Sequence, residues 1–240
     1  MVMGWFSGRK AQSAPRTRQS QPDATPQQVH TIAAGIVERG EAPDPTQNPD
    51  VMLEVGKRYA ARSPLRIGTS DLALGATDNS LDMAVSWWRS AVDAGSVEAM
   101  LQLGRVYLGW GGHRAQVMEL YERAANAGNV IAMVKLGTVL LSDSDDVPFR
   151  RSLGQDISAE DLAHAEVATA GALKWFGKAA AEGNSDAMFN LGLMAERRSD
   201  RSAAIGWYTK AAQAAHHAAQ DRLDYLMGRR APGHHPIQLD

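Results

Sequence analysis

The sequence predicts an all-α chain in which antiparallel helix hairpins stack one upon the next. Three observations predict it. One residue pattern recurs three times with a decayed fourth copy, a glycine marks a tight turn at one fixed place in each full copy, and the apolar positions follow helical spacing. The composition fits a packed chain of this kind: 240 residues, 44% hydrophobic and 22% charged, enough for one or two domains. The 25 Lys+Arg and 27 Asp+Glu give a net charge of −2, which argues against a nucleic-acid binder relying on a global basic field. The absence of cysteine removes disulfide frameworks, thiolate chemistry and Cys-ligated zinc. No run approaches the ~20 apolar residues of a membrane span, and Thr31 to Val37 is too short and too internal for a signal peptide. The expected setting is therefore cytoplasmic.

In chain order, residues 1–28 are rich in Gln, Ser, Pro and Arg and are expected to be a disordered polar and basic tail. Arg9, Lys10, Arg16 and Arg18 face only Asp23, and Trp5-Phe6 has no core to join; a short linear motif or weak membrane-touching anchor is the sharper alternative for that pair. Residues 29–48 are expected to form a capping helix and linker: Val29, Ile32, Ala33, Ile36 and Val37 make an apolar stripe that ends at Gly40. The repeat array is expected over 49–228. A half-copy at Met52, Val55-Gly56 and Tyr59 matches Met100, Leu103-Gly104 and Tyr107. An insertion at 61–80, with Pro64, Gly68 and Gly75, separates it from the first full copy.

Each full copy reads the same way. An aromatic-rich pair (Trp87-Trp88, Leu120-Tyr121, Trp175-Phe176, and the decayed Trp207-Tyr208) opens the core face of a first helix. An alanine pair three and four residues on lies on that same face. Gly95, Gly128 and Gly183 then take the left-handed position ending the helix, with Ala215 standing in for the fourth; the spacings are 33, 55 and 32. Ser96, Asn129 and Asn184 are N-caps for a second helix, whose buried stripe is Ala99-Met100-Leu103 and its equivalents. Gly104, Gly137 and Gly192 fall inside that second helix, where glycine costs ~1 kcal/mol relative to alanine. A packing reason must offset this, and a close helix crossing is the simplest. The long spacing of 55 holds a second insertion, 142–158, before a third-copy helix whose start is extended from a Ser158–Asp161 capping box. The Gly109–Gly112 connector reads as mobile, and 229–240 as a frayed tail.

The line Trp175-Phe176-Gly177-Lys178-Ala179-Ala180 … Gly183-Asn184 … Ala187-Met188 … Leu191-Gly192 resembles the Sel-one-like repeat, a branch of the tetratricopeptide-type helical solenoids. The resemblance covers roughly 81–226. It implies a right-handed superhelix of stacked hairpins serving as a protein-interaction scaffold.

No catalytic constellation is found, and no cofactor is expected. There is no Gly-x-Gly-x-x-Gly loop after a strand, Glu41 occupies the lysine place of the Gly35–Gly40 spacing, and no Gly-x-Ser-x-Gly elbow occurs. Asp143, Asp145 and Asp146 lack the glycine and glutamate of a calcium loop, and read as a solvated insertion loop. His216 and His217 are neighbours that diverge by ~100° on a helix and read as exposed or interface imidazoles rather than metal ligands, and His234-His235 in the frayed tail are no better placed. The function expected is that of a non-catalytic scaffold or adaptor holding a protein or peptide segment on its inner face. One column carries the suggestion: Ser90, Arg123, Lys178 and Lys210, basic in three of four copies, suits an acidic partner. Helix-dipole compensation at the end of the first helix is the structural explanation of the same column. Arg89, Glu122, Arg123, Lys178 and Lys210 are the candidate contacts. The competing readings are an enzyme accessory subunit using the insertions, and self-association through the repeat ends.

Overall fold

The computed structural model describes residues 24–63 and 79–229. Among these residues there are ten helices and no strand: α1 (Pro26–Arg39), α2 (Pro49–Arg62), α3 (Ser80–Asp93), α4 (Val97–Trp110), α5 (Arg114–Asn126), α6 (Val130–Ser152), α7 (Ala159–Ala181), α8 (Ser185–Arg197), α9 (Arg201–Gln213) and α10 (His217–Leu226). Each packs against the next in the chain, which makes a solenoid of antiparallel hairpins. Trp5-Phe6, the 229–240 tail beyond Arg229 and most of the 61–80 insertion lie outside the described residues.

The hairpin turns repeat one hydrogen-bond scheme. Gly95, Gly128 and Gly183 take φ of 90°, 87° and 82°. The next backbone N–H then reaches back to the first alanine of the pair: Ser96 to Ala91 (2.9 Å), Asn129 to Ala124 (3.1 Å) and Asn184 to Ala179 (3.1 Å). The fourth turn keeps the scheme with His216 to Ala211 (3.0 Å), although Ala215 must hold φ 63° without glycine's freedom. Ser96, Asn129 and Asn184 then cap α4, α6 and α8 through their side chains. α1 starts at Pro26, three residues ahead of its apolar stripe, because a Thr25–Gln28 capping box and a first-turn proline begin it.

The glycines inside the second helices do not mark a backbone crossing, as the simplest reading of the sequence expected. Each receives an aromatic ring from the first helix of the next unit. Trp88 lies on Gly56, Tyr121 on Gly104, Phe176 on Gly137 and Tyr208 on Gly192. A Cβ built on Gly137 would sit 2.7 Å from Phe176 Cε1, and one on Gly192 2.5 Å from Tyr208 Cε1. This ring-on-glycine lock joins each unit to its successor, and the same contact joins α2 to α3 at Gly56. Its rings are essentially buried: Trp88 and Tyr121 are 1% exposed, Phe176 and Tyr208 0%. Burial pushes the Tyr121 hydroxyl up to about 12. The alanine pair completes the core, with Ala91, Ala124, Ala179 and Ala211 at 0%.

Residues 142–152 of the insertion at 142–158 are not a loop but a continuation of helix, and only 153–158 turn the chain. α6 runs through it to Ser152, Pro148 included, and α7 starts at Ala159, so both exceed their neighbours by about ten residues. Leu140 against Gly171 and Arg150 against Asp161 (2.8 Å) fit one antiparallel register, which carries the hairpin beyond the ends of α5 and α8. The acidic cluster expected in a solvated loop therefore lies on α6. Arginines from three helices neutralise it: Arg114 of α5 pairs with Asp143, Arg197 of α8 with Asp145, and Arg150 of α6 with Asp146 (3.6 Å). The Gly109–Gly112 connector is also more ordered than expected. α4 includes Trp110, whose ring packs on Tyr107 and His113 at centroid distances of 5.9 and 6.1 Å, leaving Gly111 and Gly112 (φ 67° each) as the turn.

Candidate interaction face

The candidate surface is carried by the first helices of successive units, α3, α5, α7 and α9. Their buried sides are fixed by the aromatic and alanine positions, so the residue just before each alanine pair falls at the border of the core. Lys178 and Lys210 are exposed there, and each ammonium lies 4.4 Å from the centre of the indole three residues earlier, Trp175 and Trp207. Lys174 approaches the same Trp175 ring at 5.5 Å. None of these three lysines has an acidic partner among the described residues.

The other candidates are held differently. Arg123 donates to the carbonyl of Val92 in the last turn of α3 (3.3 Å) and stands 3.8 Å from Glu119. Its charge thus complements the C-terminal end of the preceding unit's helix as well as that of α5, in whose last turn it lies, as Lys178 and Lys210 lie in the last turns of α7 and α9. Arg89 turns to the second helix of its unit, where its Nε donates to Tyr107 Oη (2.8 Å). Glu122 is exposed and makes no ion pair among the described residues. Ser90 bonds the carbonyl of Ser86 (3.4 Å). Among the described residues no contact joins the five candidates into one cluster, and Arg89, Glu122, Lys178 and Lys210 form no ion pair, nor does Lys174. Lys174 was missed from sequence because it lies outside the column, although the Trp-x-x-Lys spacing at 175–178 and 207–210 was there to be read.

His216 is a helix cap. Its Nδ1 accepts from the Ala219 N–H (3.2 Å), its ring stacks on Phe189 at 4.4 Å, and Asp186 lies 3.5 Å from Nε2. Among the described residues no three His, Cys, Asp or Glu side chains come together as metal ligands, and no helix is long and apolar enough to cross a membrane.

Stacked hairpins locked ring-on-glycine, with chemistry confined to a basic and aromatic surface, define the class: a helical-repeat protein. The Sel1 repeat model matches residues 73–96, 118–129, 169–184 and 185–216, so the chain is similar to Sel1 repeat proteins over these segments. Such repeats generally mediate protein–protein interaction and typically form non-catalytic scaffolds. Among solved structures, c5321, a protective antigen of uropathogenic Escherichia coli strains displaying an SLR fold, is similar at 22% identity and TM-score 0.54. The match covers 83% of this chain and 36% of the antigen's, so this chain spans about a third of that protein's length. A Sel1 repeat protein from Oxalobacter formigenes aligns at 19% identity over 83% of this chain and 76% of its own, with a TM-score of 0.49. No curated protein matches the chain.

Proposed function

We propose that the protein is a non-catalytic adaptor that holds an acidic peptide segment of a partner protein along its first-helix face. The observation that carries this reading is the set of exposed lysines on α7 and α9, each held over an indole and none neutralised by a carboxylate among the described residues. An ammonium fixed over a ring loses less freedom when a carboxylate arrives. Arg123, on the equivalent position of α5, extends the row at lower net charge because Glu119 and the Val92 carbonyl already share it.

The test uses a peptide array graded in Asp and Glu content, probed with the full chain and with an Arg123→Glu/Lys178→Glu/Lys210→Glu variant whose circular dichroism matches wild type. Binding that rises with acidity, weakens with salt and is lost in the variant supports the reading. Equal binding by both proteins returns the basic column to helix-end electrostatics and overturns it.

A further inference from the structure

The projecting part of the α6–α7 hairpin carries an apolar surface that the array leaves unused. Phe149, Leu153 and Val167 are 62%, 59% and 72% exposed, and Val167 is the most exposed large hydrophobic residue of the described chain. Phe149 lies in the last turn of α6 and Leu153, four residues on, is its C-cap; Ala163 and Val167 share a flank of α7. Around them Asp156, Glu160 and Glu166 make no ion pair among the described residues, against a single unpaired cation, Arg151. The hairpin thus offers exposed hydrocarbon within an acidic surround.

We propose that this surface is the docking site of the chain's own N-terminal segment, with Trp5 and Phe6 as apolar anchors and Arg9, Lys10, Arg16 and Arg18 as the matching cations. Three observations support that occupant. The segment has the complementary composition: two adjacent aromatics followed by four cations against Asp23 alone. It joins the fold at the correct edge, because helices alternate in direction and α1 starts at the edge where α6 ends and α7 begins. It is also long enough. The 18 residues from Phe6 to Ala24 span up to ~60 Å at ~3.3 Å each. The five helix-to-helix steps from α1 to α6, at 8–10 Å each, bound the path at ~50 Å. The docked segment would cover the hairpin and leave the lysine row open, so the two surfaces fail or stand separately.

The chain's lack of cysteine allows a direct test. In the full-length protein, Ser7→Cys is paired either with Arg151→Cys on the hairpin or with Asn126→Cys at the opposite edge, and disulfide formation is timed in dilute solution. The expected result is a monomeric cross-link to position 151 about tenfold faster than to 126. Trp5→Ala/Phe6→Ala or Val167→Glu should abolish the advantage, and salt should reduce it; circular dichroism matching wild type checks that each variant keeps the fold. Equal rates at the two sites, an advantage insensitive to Trp5→Ala/Phe6→Ala, or cross-links found only between chains would overturn the proposal.

Discussion

At the scale of single residues, the ring-on-glycine contacts decide how units join. Each occupies a space that a methyl group cannot share, so Gly137→Leu must displace Phe176 from a site where a Cβ alone would approach to 2.7 Å. The expected cost is at least ~1–3 kcal/mol, read as a lower melting temperature, and an unchanged melting curve would refute the lock. The opposite sign is expected at Ala215, which holds φ 63° where the other turns use glycine. Ala215→Gly should raise stability by up to about 1 kcal/mol, measured by urea unfolding, because relief of a left-handed alanine exceeds the added unfolded-state entropy.

At the scale of elements, the α6–α7 hairpin is tied at its base and tip by charge. Asp161 is held far below the usual carboxylate range, first by Arg150 and then by Ser158, whose hydroxyl and backbone N–H both bond to it. A depressed folded value means that the contribution is fully present above the ordinary carboxylate pKa of about 4 and fades as pH falls below it. Asp161→Asn should therefore lower the melting temperature at pH 7, and the difference from wild type should shrink progressively as pH is taken below 4. The last hairpin depends on a different polar contact. Tyr208 Oη donates to Glu196 (2.7 Å), which also pairs with Arg222 of α10. Burial and that carboxylate push the tyrosine's pKa up, so it stays protonated. Tyr208→Phe should keep the ring on Gly192 and lose about 0.5–1.5 kcal/mol, in contrast to the larger loss from Tyr208→Ala.

At the scale of the whole molecule, stability passes from neighbour to neighbour, as in any solenoid. The core divides into two clusters. The larger runs from Ala33 to Met194, and the smaller joins Ala195, Ala204, Tyr208, Ala211, Ala219, Leu223 and Leu226. Native-state hydrogen exchange should show α9 and α10 opening at lower free energy than α3 to α6; uniform protection would contradict the division. The lock is also absent at the two ends of the array. Asp224 of α10 stands where the other second helices have glycine, and Ala33 of α1 where later first helices have an aromatic ring. Neither end can therefore propagate the stack by the contact that builds it.

Much of this was legible in the residues themselves. The period, the turn glycines, the caps and the buried aromatic and alanine columns follow from local rules, because a helix's spacing and a left-handed turn are properties of a few consecutive residues. The basic column was visible for the same reason. Tertiary structure alone decided what the interior glycines face, since a ring from 16 to 39 residues further on fills that space. It also decided the fate of the second insertion: a proline and three aspartates read as a loop, but arginines from α5 and α8 and the packing of α7 hold that segment in helix. Likewise, only packing separated Arg123 and Arg89, which bind carbonyl and hydroxyl groups of the fold, from Lys178 and Lys210, which keep their charge free above an indole. The sequence by itself determined the unit; long-range contacts, which no local spacing encodes, determined how units lock and which charges find a partner within the fold.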